Sequence, residues 1–168
     1  MTRPALAAAI PALLLSGAIF GFFYAWTVST MWGLDAADPR LAIGAMQAMN
    51  ASVRNAAFAP AFFGTGPALL LTSALALHAG ARQAAILFAL AGLTYAVAAM
   101  GLTMVINVPM NEALAATAIP EDPTAAAAIW HGYSAPWQIW NQIRTLTSGL
   151  ALTLGLFGLI ALIRAERG

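Results

Sequence analysis

Residues Ala5 to Trp32 read ALAAAIPALLLSGAIFGFFYAWTVSTMW, 28 residues without a charged side chain. At about 1.5 Å of rise per residue, a helix of that length more than covers the roughly 30 Å hydrocarbon core of a bilayer. The run outlasts the roughly 7 to 15 apolar residues of a cleavable leader and no A-x-A-like site follows it, so it reads as a retained first span. Three more uncharged runs lie downstream, at Ala56 to Leu77, Ala84 to Ile106 and Leu146 to Ile163. Together they predict an all-α membrane protein: a single domain over residues 1–168, a four-transmembrane-helix bundle with helical extracytoplasmic segments.

Composition agrees. With 61% hydrophobic and 8% charged residues and a mean hydropathy of +0.81, a chain this short cannot bury its apolar surface without lipid. A net charge of +1 with no basic cluster excludes nucleic acid as a partner. The absence of cysteine removes disulfides, thiolate nucleophiles and iron–sulfur clusters.

Charge sets the expected orientation. Arg3, Arg82, Arg164 and Arg167 fall on one side of four alternating spans, while Arg40, Arg54 and Arg144 fall on the other with most of the acidic residues. The positive-inside rule then places both termini in the cytoplasm and the protein in the cytoplasmic membrane. Asp38-Pro39 reads as an N-cap followed by proline at the first helical position, opening an outer helix to about Asn55, with Pro60 kinking the chain as it turns into the membrane. Asp122-Pro123 opens another outer helix, and Ser134-Ala135-Pro136 a last one running to Ile163. Glycines in the spans predict close helix approach. MQAMN before Arg54 and WQIWN before Arg144 form a weak internal echo of two halves.

Most of the polar side chains suited to chemistry lie at the outer end. Gln47, Asn50 and Arg54 share one helical face, Asn107, Asn111 and Glu112 lie in NVPMNE, and Trp137, Trp140, Asn141 and Arg144 share another face. Each has a plain structural use: amides for a proline-kinked helix, tryptophans for the interfacial belt, arginines for headgroups. Jointly they predict a polar cup above an apolar bundle, suited to a small hydrophobic aromatic substrate or a lipid. Metal sites fit poorly, because His78 and His131 are a bilayer thickness apart; Met31, Met46, Met49, Met104 and Met110 read as packing rather than a copper site.

FGFFYAWTVSTMWGL, MQAMN with Arg54-Asn55, NVPMNEAL and WQIWNQIRT, in this order, resemble the anthrone oxygenase family of small four-span membrane proteins. That resemblance implies O2-dependent oxygenation of anthrones to anthraquinones, with no organic cofactor or metal. It departs at Gln142, where the family often carries histidine. On this reading Arg144, Asn141 and Asn111 are the oxyanion donors, and Trp137 and Trp140 clamp the ring. Asn107, Asn50, Arg54 and Gln47 line the binding cup, and Glu112 or His131 is the base. A non-enzymatic lipid- or quinone-binding subunit is the alternative. A transporter is disfavoured, since no charge falls at the expected midplane, and homo-oligomerisation stays open.

Overall fold

The computed structural model describes residues 2–167, and among these every regular element is helical. The first rod is α1 (Arg3–Ala25), a π-helical turn (Trp26–Thr30) and α2 (Met31–Asp35); α3 (Pro39–Ser52) follows across one end of the molecule. The second is α4 (Ala59–His78). The third runs through α5 (Arg82–Thr94), two π-helical stretches (Tyr95–Gly101 and Thr103–Asn107) and α6 (Val108–Ala115), and the fourth is α7 (Pro123–Arg167). All four rods are long and apolar enough to cross a membrane. α1 packs on α4, α4 on α5, α5 on α7, and α7 back on α1, so neighbours in the chain are neighbours in the ring.

Local chemistry explains the joints. Asp38 accepts the Arg40 backbone N–H at 2.9 Å, and Asp122 accepts those of Thr124 and Ala125 at 3.2 and 3.1 Å, so both carboxylates cap their helices. Between α4 and α5, Gly80 takes φ +80°, Ala81 donates to Ala76 and Gly80 to Leu77. That pairing is a Schellman stop, and the left-handed position favours glycine. Gly92 lets α4 and α5 close up, since a Cβ there would sit 2.8 Å from the Leu70 side chain.

Two expected boundaries move. The outer helix stops at Ser52, because Asn55 gathers the next turn: its Oδ1 accepts the N–H groups of Ala57 and Phe58, both at 2.9 Å. The last helix starts at Pro123 rather than at Pro136, which lies inside it. The carbonyl that Pro136 deprives of a donor belongs to Gly132, an exposed residue with no side chain to crowd the ring, so the helix continues through.

Candidate functional site

α3 and the segment after it cover the end of the ring that we call the cap end. Beneath them lies a cavity of about 560 Å³, within the roughly 300 to 1,000 Å³ usual for small-molecule sites. Phe22, Phe23 and Trp26 of α1 and its π turn wall one side, and Phe58, Ala59, Phe62 and Phe63 at the α4 end another. Phe22 and Phe58 meet at 4.9 Å between ring centres and Phe58 stacks on Phe62 at 5.7 Å, making one aromatic surface. Span three contributes Thr103, Met104, Val108, Asn111 and Glu112, and α7 contributes Trp137 and Arg144. Asn50, Val53, Arg54, Asn55 and Ala56 complete the lining from the cap.

Arg144 is the distinctive member. Only 5% of it is exposed, and among the described residues no carboxylate pairs with it. Its Nε donates to Asn141 Oδ1 at 2.9 Å and its Nη1 to Thr103 Oγ1 at 3.4 Å. Guanidinium has five N–H donors, so those two bonds leave three unclaimed. Its carbon lies 4.4 Å from the centre of the Phe23 ring and 4.9 Å from that of Trp137. Aromatic faces hold the charge without neutralising it. Buried charge without a counter-ion is costly, and an anionic ligand would relieve it.

Asn141 has both ends of its amide engaged. Nδ2 donates to Thr27 Oγ1 at 2.8 Å and to the Phe23 carbonyl at 3.3 Å, which turns Oδ1 toward Arg144. It does not line the cavity, so it positions the guanidinium rather than touching a ligand. Asn111 is arranged the other way. Its Oδ1 accepts from Tyr133 and from the Trp137 indole, each at 2.8 Å, leaving Nδ2 without an acceptor among the described residues, on a residue that lines the cavity. Trp137 spends its N–H on Asn111 and its ring on Arg144 and Trp26, so it supports the site more than it clamps a substrate.

Of the other expected site residues, Asn50, Arg54 and Glu112 line the cavity. Asn50 lies 3.5 Å from the Tyr133 hydroxyl. Arg54 and Glu112 form an ion pair at 3.1 Å with both side chains more than half exposed. Gln47 does not join them: its Nε2 caps the carbonyls of Leu114 and Thr117 at 2.8 and 3.0 Å, where the end of α6 lacks intrahelical donors. Asn107 is fully buried outside the lining, and among the described residues neither of its amide atoms has a partner.

Trp140 and His131 also lie apart from the cavity. The inward face of α7 runs through Trp130, Tyr133, Trp137, Asn141 and Arg144. Each residue turns the helix by about 100°, so His131 and Trp140, one position off that line, rotate away. His131 is exposed and Trp140 half-buried, and neither reaches the cavity. Glu112 is therefore the carboxylate left among the lining residues.

Phenylalanine faces suit the rings of an aromatic ligand, and those in the lining are Phe22, Phe23, Phe58, Phe62 and Phe63, from FGFFYAW and AFAPAFF at the cap ends of spans one and two; Trp26 and Thr103 were not expected there. Tyr133 and Asp35 were missed as well. Asp35 accepts from Trp130 at 2.9 Å, Ser134 at 2.6 Å and Gln138 at 2.8 Å, fastening span one to three successive turns of α7. Its signal was the i, i+4, i+8 spacing of those three donors.

These features define a small, multi-pass helical membrane protein with an unpaired buried cation in an aromatic-walled cavity. The chain belongs to the anthrone oxygenase family, whose sequence model matches residues 53 to 154. That match takes in the cavity residues of α4, span three and α7. Comparison with curated proteins and with solved structures gives no match.

Proposed function

We propose that the cavity binds a flat, lipid-soluble phenolic tricycle and that the protein oxidises it with O2, as anthrone to anthraquinone. The observation that supports this reading is the Arg144 guanidinium, buried and without a carboxylate, presenting unclaimed N–H groups beside a ligand-sized aromatic cavity. An anthrone becomes a fully aromatic oxyanion on losing a methylene proton. Arg144 and Asn111 Nδ2 are the groups to hold that oxyanion, and the aromatic wall formed by Phe22, Phe58 and Phe62 takes the rings. Glu112, the carboxylate among the lining residues, stands at the exposed rim and carries the released proton out toward water.

The electron-rich anion then reduces O2, and carbon–oxygen bond formation gives a hydroperoxide at the former methylene. Loss of its remaining C–H proton with cleavage of the O–O bond leaves the carbonyl and one water. One O2 is consumed for each quinone formed. Family membership supports this chemistry, and the lining residues supply cation, amide and carboxylate for it.

Purified protein in lipid nanodiscs, given anthrone and air, tests the reading through oxygen uptake and quinone absorbance, corrected for spontaneous autoxidation. Enzyme-dependent turnover with equal molar oxygen and quinone is expected. Binding of anthrone without turnover would instead favour a lipid- or quinone-binding subunit, which the same guanidinium would serve.

A further inference from the structure

The cavity does not end at the protein's water-facing surface. α4 packs along α5 and the Tyr95–Gly101 stretch, but no comparable packing joins it to Thr103–Asn107 or to α6, so the two rods part toward the cap end. Phe63 and Met104 flank that gap. Both line the cavity and both are exposed, at 54% and 45%, on rods otherwise apolar enough to face lipid. At the water-facing end the gap is bridged by the Arg54–Glu112 ion pair. Thr103, which bonds Arg144, lies nine residues below Glu112, or roughly 13 Å of helix rise. The cation therefore sits beneath the polar rim, between rods apolar enough to cross a membrane and beside an apolar opening.

We propose that the cavity is loaded sideways from the bilayer through the Phe63–Met104 gap, and that this selects neutral, membrane-dissolved phenols over charged aromatic relatives dissolved in water. A neutral phenol can travel through the acyl region and meet Arg144 from the side, becoming anionic only inside. A permanently charged relative, although attracted by the guanidinium, would have to cross the same apolar sill and is held out. The inference rests on the functional reading above, with the route as a separate claim.

The test follows binding of 1,8-dihydroxyanthraquinone, a neutral probe, and anthraquinone-2-sulfonate, a charged one, to protein in nanodiscs by stopped-flow quenching of tryptophan fluorescence. The neutral probe should bind and the sulfonate should not. Met104→Trp narrows the gap and should slow binding and release of the neutral probe together, by about tenfold, because an obstructed path raises the barrier without changing its two ends. Met104→Ala and Phe63→Ala widen the gap and should speed both, which guards against a narrowed variant that merely misfolds. If the sulfonate binds as fast as the neutral probe, or if Glu112→Gln speeds loading while Met104→Trp leaves it unchanged, access is from water and the proposal falls alone. If neither probe binds wild-type protein, the functional reading falls with it.

Discussion

The guanidinium carbon of Arg144 lies 4.4 Å from the centre of the Phe23 ring, and the Phe23 carbonyl also accepts from the asparagine that orients that guanidinium. One residue of span one thus holds the span-four cation by its ring and, through Asn141, by its backbone. Phe23→Leu removes the ring alone. Cation–π contacts are worth about 0.5 to 2 kcal/mol, so turnover should drop by about 2- to 30-fold while the protein still folds. Steady-state anthrone oxidation checks this, with thermal unfolding as the control.

Arg144→Lys keeps a positive charge and loses the fork that meets Asn141 and Thr103 together while leaving donors for a ligand. It should behave nearly as badly as Arg144→Met, each losing about 10² to 10³ in rate, the usual cost of removing a donor to a developing oxyanion. Retention of wild-type turnover by the lysine variant would mean that charge alone suffices.

Asp35→Asn replaces a carboxylate that accepts from Trp130, Ser134 and Gln138 with an amide that turns at least one donor toward those donors. Hydrogen bonds to charged groups contribute about 1.5 to 3 kcal/mol each, so melting of the detergent-solubilised protein should shift down measurably. The Trp130 environment should change with it, which near-ultraviolet circular dichroism reads.

Asp38 is held down to about 2 by its hydrogen bonds and ion pair with Arg40. A carboxyl depressed in the folded state below its ordinary value of about 3.9 adds stability above that value, and the contribution fades as pH falls through about 2. Protection of the amides in the first turn of α3, taken relative to their intrinsic exchange rates at each pH, should therefore fall between about pH 4 and pH 2. Asp38→Asn, still able to cap, should flatten that dependence.

Topology is tested in a chain that has no cysteine of its own. Single cysteines at the exposed positions Ala36, Gln83, Glu121 and Glu166 report the four connecting and terminal regions. With arginines biased toward the termini, a membrane-impermeant thiol reagent on intact cells should label only the first and third. The reverse pattern would invert the molecule.

How much of this was legible follows from two kinds of physics. Uncharged runs long enough to cross a bilayer announce the four spans, because lipid tolerates few charges along a helix and satisfies no open backbone group. Aspartate before proline marks the starts of α3 and α7, since both capping and the missing N–H are local effects. Spacing alone also put Trp137, Asn141 and Arg144 on one face of α7. These properties belong to a single helix, so the sequence by itself determined them.

What each face meets depends on neighbouring helices, and only the tertiary structure decided that. A rotation of about 100° separates His131 from the inward Trp130 and Trp140 from the inward Asn141, too fine a difference to read without knowing which way α7 is turned. Gln47 shares its face with Asn50 but meets the open end of α6 instead of the cavity. The π turns at Trp26 and Thr103 shift the helical register, which helps bring an aromatic ring and a hydroxyl to the site, a shift that no residue in these apolar rods announces. Spacing left Arg144 either a binding cation or a headgroup anchor; the helices closed around it, and among the described residues no carboxylate pairs with it.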